Sequence, residues 1–199
     1  MTVRVMLVSP AMNAALREAR FDGDAPLDPA GERSARAAAP AVPKAGHVLC
    51  GPSERCLGTA AALGLAAAPE PALTGWDLGR WSGRRLDEVG AAEPSAVAAW
   101  MGEPSAAPHG GESLRDLVER VGRWLDGAGG VEGLGPGGGS VLAVAEPAVV
   151  RSAVVHALAL PPETFWRLDV APLVLTELSG RSGRWNVRLG RPLTAPQEP

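Results

Sequence analysis

Few side chains in this 199-residue chain could do chemistry, and fewer still are spaced to act together. The histidines His47, His109 and His156 fall at no spacing that a metal site uses. His156 sits mid-helix among Val154, Val155 and Leu158, a packed or half-exposed structural position. His109 stands before Gly110-Gly111 in a loop, the one histidine placed where it could meet a substrate; a solvated loop histidine is the blander reading. Cys50 and Cys56 form neither a disulfide framework nor a CxxC pair. They read as small apolar side chains in a reducing compartment. Gly133-x-Gly135-x-Gly137 precedes a strand instead of following one, so it is a linker and not a dinucleotide loop. No P-loop or G-x-S-x-G elbow is present. None of these features singles out which of the acidic and basic side chains act together. A carboxylate and a guanidinium sharing one cleft can move a proton, hold an anion or neutralise each other.

The elements that would position them are read from patterning. Val3 to Val8 predicts a buried strand. Asp28-Pro29 starts a helix that Pro40 ends. His47 to Cys50 is a second strand, and Gly51-Pro52 opens a helix closed by Gly64. Residues 66–83 are irregular, with Trp76 and Trp81 as packing anchors. Ser113 to Asp126 is the clearest helix, because Leu114, Leu117, Val118, Val121, Trp124 and Leu125 form one stripe at helical spacing. Gly127 to Gly139 is a flexible glycine-rich loop. Val141 to Ala145 is a third strand, followed by a helix from Pro147 to about Leu160. Leu173 to Leu178 and Arg184 to Leu189 are late strands. This alternation predicts an α/β fold: three layers, with a mostly parallel central sheet and helices on both faces. Ligands of such sheets sit beyond the carboxyl ends of the strands, so the residues after Val8, Cys50 and Ala145 are the ones to inspect.

Four blocks of this chain, in order and in register, resemble the histidine phosphatase (phosphoglycerate mutase-like) superfamily. The first is the leading strand followed by Asp24-Ala25-Pro26-Leu27-Asp28-Pro29-Ala30-Gly31. The second is the run Gly51-Pro52-Ser53-Glu54-Arg55-Cys56-Leu57-Gly58-Thr59-Ala60, with the spacing of Leu73 to Gly83 soon after. The third is Gly110-Gly111-Glu112-Ser113 before the long helix. The fourth is Val144-Ala145-Glu146-Pro147-Ala148-Val149-Val150-Arg151, a strand end followed by a helix carrying an arginine. Phe165 to Pro172 is similar to the segment that usually follows.

The resemblance implies a chemistry that this chain does not carry. Where the family has its phosphoryl-accepting histidine, this sequence has Pro10, which has no nucleophile and no titratable group. The phosphate-binding arginine before it is Ser9, and the glycine after it is Ala11. The usual proton donor is Gly75, and the second histidine is Glu146. Of that set only Arg55 remains. A carboxylate about 4 Å from a phosphate charge costs roughly 4 kcal/mol at an effective dielectric of about 20. Glu146 therefore opposes phosphate, and at a helix start it is placed to fill the vacant anion position itself and pair with Arg55.

The reading that follows is a degenerate member, a non-catalytic pseudophosphatase binding a small molecule or a protein. The alternative is a repurposed enzyme using Glu146 and Arg55 in the old cleft, with Asp77 or His109 assisting, for dehydration, isomerisation or cyclisation. A third is a phosphatase whose nucleophile has moved, to His109. The candidate ligand-binding residues are Arg55, Glu146, Ser9, Asp77 and His109, with Glu146 as candidate acid or base. No metal and no cofactor are expected. A net charge of −3 with scattered basic residues argues against nucleic acid and acidic membranes. The short apolar start does not form a leader and no run is long enough to span a bilayer, so a cytoplasmic protein is expected, with a homodimer left open. Residues 1–190 are read as one domain and 191–199 as a loose tail.

Overall fold

The computed structural model describes residues 2–21, 24–127 and 139–193. In chain order the elements are β1 (Val3–Val8), α1 (Ala14–Arg17), α2 (Pro29–Ala38), β2 (His47–Cys50), α3 (Glu54–Ala62), β3 (Ala68–Pro69), α4 (Leu86–Ala92), α5 (Pro94–Gly102), α6 (Leu114–Gly127), β4 (Ser140–Val144), α7 (Pro147–Ala157), β5 (Val174–Arg181) and β6 (Arg184–Pro192). The six strands form one sheet in the order β3-β2-β4-β1-β5-β6. β1, β2, β3 and β4 run parallel, and the late strands join antiparallel, β5 on β1 and β6 on β5.

The layering follows from alternation along β1. Val5 and Leu7 point to one face, where they pack with Leu117, Val121 and Leu125 of α6 and Val149, Val150 and Ala153 of α7. Met6 and Val8 point to the other face and pack with Ala35 of α2 and Cys56 and Ala60 of α3. The α6 stripe is buried as the spacing predicts, except that Trp124 is only partly covered. Local signals set the helix starts. Asp28 accepts from the Gly31 amide at 2.8 Å and Pro29 occupies the first turn of α2, while Ser53 accepts from the Cys56 amide at 3.2 Å ahead of α3. Gly51 and Pro52 therefore precede the helix. Gly31 also brings α2 close to the segment after β1, where a β-carbon would overlap the Met12 carbonyl oxygen.

One boundary changes and one stretch gains elements. The tail does not begin at residue 191, because β6 continues to Pro192 and the Leu193 amide donates to the Leu173 carbonyl at 2.9 Å, with Leu193 buried in the core. Residues 194–199 lie outside the described residues, as does most of the expected glycine-rich loop. The stretch after residue 83, for which no element is predicted, holds α4 and α5. There Val89 and Trp100 pack with Phe21, Leu78 and Trp81 in a separate aromatic cluster. Among the described residues no helix is long and apolar enough to cross a membrane.

Candidate functional site

Register puts three strand ends at one level. Val8 lies opposite Val144, and Cys50 lies opposite the same residue on the other side of β4. The segments Ser9-Pro10-Ala11, Gly51-Pro52-Ser53 and Ala145-Glu146-Pro147 therefore leave the sheet side by side, as the strand-end rule predicts. A cavity of about 890 Å³ opens there. Much of its wall is apolar, from Pro10, Met12, Leu16, Trp76, Leu78, Val170 and Pro172, and it also carries Arg55, Glu146, Asp24, Asp77 and Arg151.

At the floor Glu146 is clamped. Its Oε1 accepts from Ser53 Oγ at 2.8 Å and from Arg55 Nε at 3.3 Å, and its Oε2 accepts from Arg55 Nη2. Arg55 is 1% exposed and Glu146 6%. Two local choices make this possible. Arg55 sits in the first turn of α3, where Ser53 serves two partners, capping the helix and donating to Glu146. Glu146 sits at the N-cap of α7 yet makes no cap hydrogen bond with its side chain, which reaches across to α3 instead. Cys56 Sγ lies 3.5 Å from Glu146 Oε1. Its hydrogen bond with Cys50, together with burial and the Glu146 charge, pushes the Cys56 thiol well above its usual range.

Pro10 is buried and borders the cavity with no polar group to offer. Ala11 donates its amide to Thr59 Oγ1 at 3.1 Å. Gly75 lies against the stem of Glu146, where a β-carbon would stand 3.4 Å from the Glu146 Cγ, an ordinary contact distance. Arg120 holds this loop, donating to the carbonyls of Ala72 (2.8 Å), Thr74 (3.0 Å) and Gly75 (3.3 Å). Asp77 lies on the cavity rim, exposed, and accepts from the Gly79 amide at 2.9 Å.

Ser9 and His109 are corrected. Ser9 is absent from the cavity wall; its Oγ donates to the Ala171 carbonyl at 2.5 Å and accepts from the Val174 amide at 3.1 Å, sewing β1 to the approach of β5. His109 is neither solvated nor placed for substrate. It is 1% exposed, packed edge-on to Trp81 at 5.1 Å, and its Nδ1 accepts from the Gly111 amide at 3.0 Å. Burial, against the pull of Asp77, holds its imidazole below the ordinary value. Sequence reasoning passed over Ser53 as a partner of Glu146 and Arg151 as a wall residue. The helical spacing of Pro147, Ala148 and Arg151 is the signal that could have found the second. Among the described residues no group of three or more His, Cys, Asp or Glu side chains is arranged to hold a metal ion.

Comparison with known proteins gives the cleft its context. The family model described as the histidine phosphatase superfamily (branch 1) matches residues 11–191. A glucosyl-3-phosphoglycerate phosphatase of Mycolicibacterium vanbaalenii is 38% identical over 103 residues, 49% of this chain and 46% of that protein. A bifunctional protein of Mycobacterium tuberculosis is 28% identical over 197 residues, 94% of this chain and 53% of that protein. The chain thus spans about half the length of these curated relatives. Among solved structures, a mycobacterial glucosyl-3-phosphoglycerate phosphatase complexed with VO3 is similar at a TM-score of 0.82 and 25% identity, covering 96% of this chain and 99% of that one. A putative α-ribazole-5'-P phosphatase from Escherichia coli, at 0.83 and 19% identity over 98% of this chain and 99% of its own, shares the fold.

Proposed function

The chain belongs to the histidine phosphatase superfamily, and on that premise we propose that it is a member without phosphohistidine chemistry, a pseudophosphatase whose cleft binds a small molecule. The observation that carries this reading is the clamp. Where the family resemblance calls for a phosphate held between an arginine and a histidine, the Glu146 carboxylate sits on Arg55 and Ser53, beside a proline that can accept no phosphoryl group. A cavity of about 890 Å³ with a largely apolar wall suits a small organic ligand better than a protein surface does.

The relatives whose names specify phosphatase activity set the test. Wild-type protein should release no phosphate above background from glucosyl-3-phosphoglycerate, 3-phosphoglycerate or an aryl phosphate. Turnover on the order of 1 per second or faster, abolished by Arg55→Ala, would overturn the proposal.

A second reading, a repurposed enzyme with Glu146 as acid or base, is favoured by one feature: the cleft is roomy, with Glu146 on its wall. Against it stands the occupancy of both Glu146 oxygens, which leaves the carboxylate little capacity to take a proton from a substrate. A screen for ligands that co-purify with wild type and with Glu146→Gln separates the two. Unchanged ligand in both supports binding, whereas a substrate retained by the variant and a product by the wild type supports catalysis.

A further inference from the structure

The cavity wall carries a second cation, Arg151, which no part of the clamp uses. Arg151 follows Pro147 and Ala148 by four and three residues on α7, so these three share the helix face that borders the cavity. Val149, Val150 and Ala153 of the same helix are buried in the core instead. The Arg151 side chain is 27% exposed, and its nearest carboxylate oxygen, on Asp169, is 3.8 Å away on a side chain that is itself 98% exposed. Its guanidinium carbon stands 5.5 Å from the centre of the Phe165 ring, which fixes the group in place. Its Nε is buried without a hydrogen-bond partner, and so is Nη1 of Arg55. Burial holds the Arg151 guanidinium below its ordinary pKa, with Asp169 pulling the other way. Those two atoms are themselves inaccessible, so it is the exposed part of the Arg151 side chain, on the cavity wall, that an anion in the cavity would meet.

Three carboxylates also border the cavity, and they decide what kind of anion fits. Glu146 is already neutralised by Arg55. Asp24 and Asp77 are exposed on the rim and accept from the amides of Glu54 and Gly79 at 2.8 and 2.9 Å, so water and backbone already serve them. With Glu146 and Arg55 cancelling each other, a phosphate dianion would meet rim carboxylates with one guanidinium, Arg151, left to balance it. A planar monoanion matches a single guanidinium fork. Beside Arg151 the wall offers Trp76, whose indole nitrogen is committed to the Glu112 carbonyl at 2.7 Å, leaving the ring as apolar surface, together with Leu78, Val170 and Pro172.

Resting on the non-phosphoryl reading of this cleft, we propose that it takes an organic carboxylate with an apolar body, the carboxylate held by Arg151 and the body packed against Trp76 and its apolar neighbours. Isothermal titration calorimetry with 3-phenylpropionate, its amide 3-phenylpropanamide, 2-phenylethylamine and inorganic phosphate tests it on wild type, Arg151→Gln and Arg151→Lys. The acid should bind wild type at least about tenfold more tightly than the amide, the amine or phosphate. Arg151→Gln should remove that preference while leaving the weaker amide affinity in place, and Arg151→Lys should keep part of it. Should Arg151→Gln fail to fold, the acid-to-amide ratio in wild type still decides. Equal affinities, preference for the amine or phosphate, an acid affinity untouched by Arg151→Gln, or no saturable binding of the acid into the millimolar range would each overturn the proposal. Any of these can occur with phosphatase activity absent, so it would leave the pseudophosphatase reading standing. Phosphate release by the wild type would instead sink that reading.

Discussion

Removing Glu146 is the sharpest perturbation of the clamp. In Glu146→Ala the Arg55 guanidinium, 1% exposed, keeps its charge but loses the acceptors of Nε and Nη2, adding them to an Nη1 that already has none. Ser53 Oγ also loses its acceptor. Breaking a buried pair by deleting one partner costs about 3–5 kcal/mol. In a domain of this size each kcal/mol lowers Tm by about 2–4 °C, so a fall of about 6–20 °C is expected in thermal unfolding followed by circular dichroism. Replacing both partners, as in Arg55→Met with Glu146→Leu, should recover much of the loss, because apolar side chains remove the stranded charge. The cavity beside Arg55 also makes a second, independent readout available. Inorganic phosphate should stabilise Glu146→Ala, by about 2.7 kcal/mol at a hundredfold excess over Kd, and leave wild type unmoved. A Tm change under about 2 °C for Glu146→Ala, less than a single kcal/mol produces, would show that Arg55 finds other partners and that the clamp is not the site's central interaction.

Rebuilding the family's groups with Pro10→His, Ala11→Gly, Gly75→Glu and Glu146→His should raise vanadate affinity in calorimetry above that of wild type. Glu146→Gln alone should give part of the gain. Adding Ser9→Arg should cost stability, since Ser9 is locked to Ala171 and Val174; a fivefold variant as stable as the fourfold one would contradict this. His109 takes up its proton more readily in the unfolded chain, because burial holds the native imidazole below its usual 6.5. Its contribution is therefore intact above that value and lost as pH falls toward the lower native one, so urea midpoints should drop with acidification more in wild type than in His109→Gln. Gly31→Ala should destabilise by about 1–3 kcal/mol in urea unfolding, because the new methyl meets the Met12 carbonyl and pushes on the segment that lines the cavity.

Residues 86–102 and the antiparallel approach of β5 were not legible in the chain. The α5 sequence, Pro94-Ser95-Ala96-Val97-Ala98-Ala99-Trp100-Met101-Gly102, is almost wholly apolar and its N-cap Glu93 makes no side-chain cap hydrogen bond, so it lacks the periodic contrast that revealed α6. Tertiary contact with Phe21, Trp76, Trp81 and Trp166 is what singles out Trp100 as its buried residue. The late strands were legible as strands, but an apolar run carries no mark of which neighbour it will pair with or in which direction. That missing fact also misplaced Ser9, whose side chain is claimed by β5 and its approach, and His109, which is claimed by an aromatic cluster drawn from four separate segments.

The residue pattern alone determined the leading strand, the Asp28-capped start of α2, the α6 stripe, and the level at which the segments after Val8, Cys50 and Ala145 leave the sheet. These depend on neighbours within one or two turns and on the rule that parallel strands end together. It also determined that Pro10 brings no nucleophile, which is a matter of composition. The tertiary structure alone decided that Glu146 turns toward Arg55 and Ser53, that Gly75 packs against its stem, and that Arg151 stands on the same cavity wall. Those contacts join residues far apart in the chain, and the direction of each side chain is set by the packing of the element beneath it. No local pattern encodes that packing.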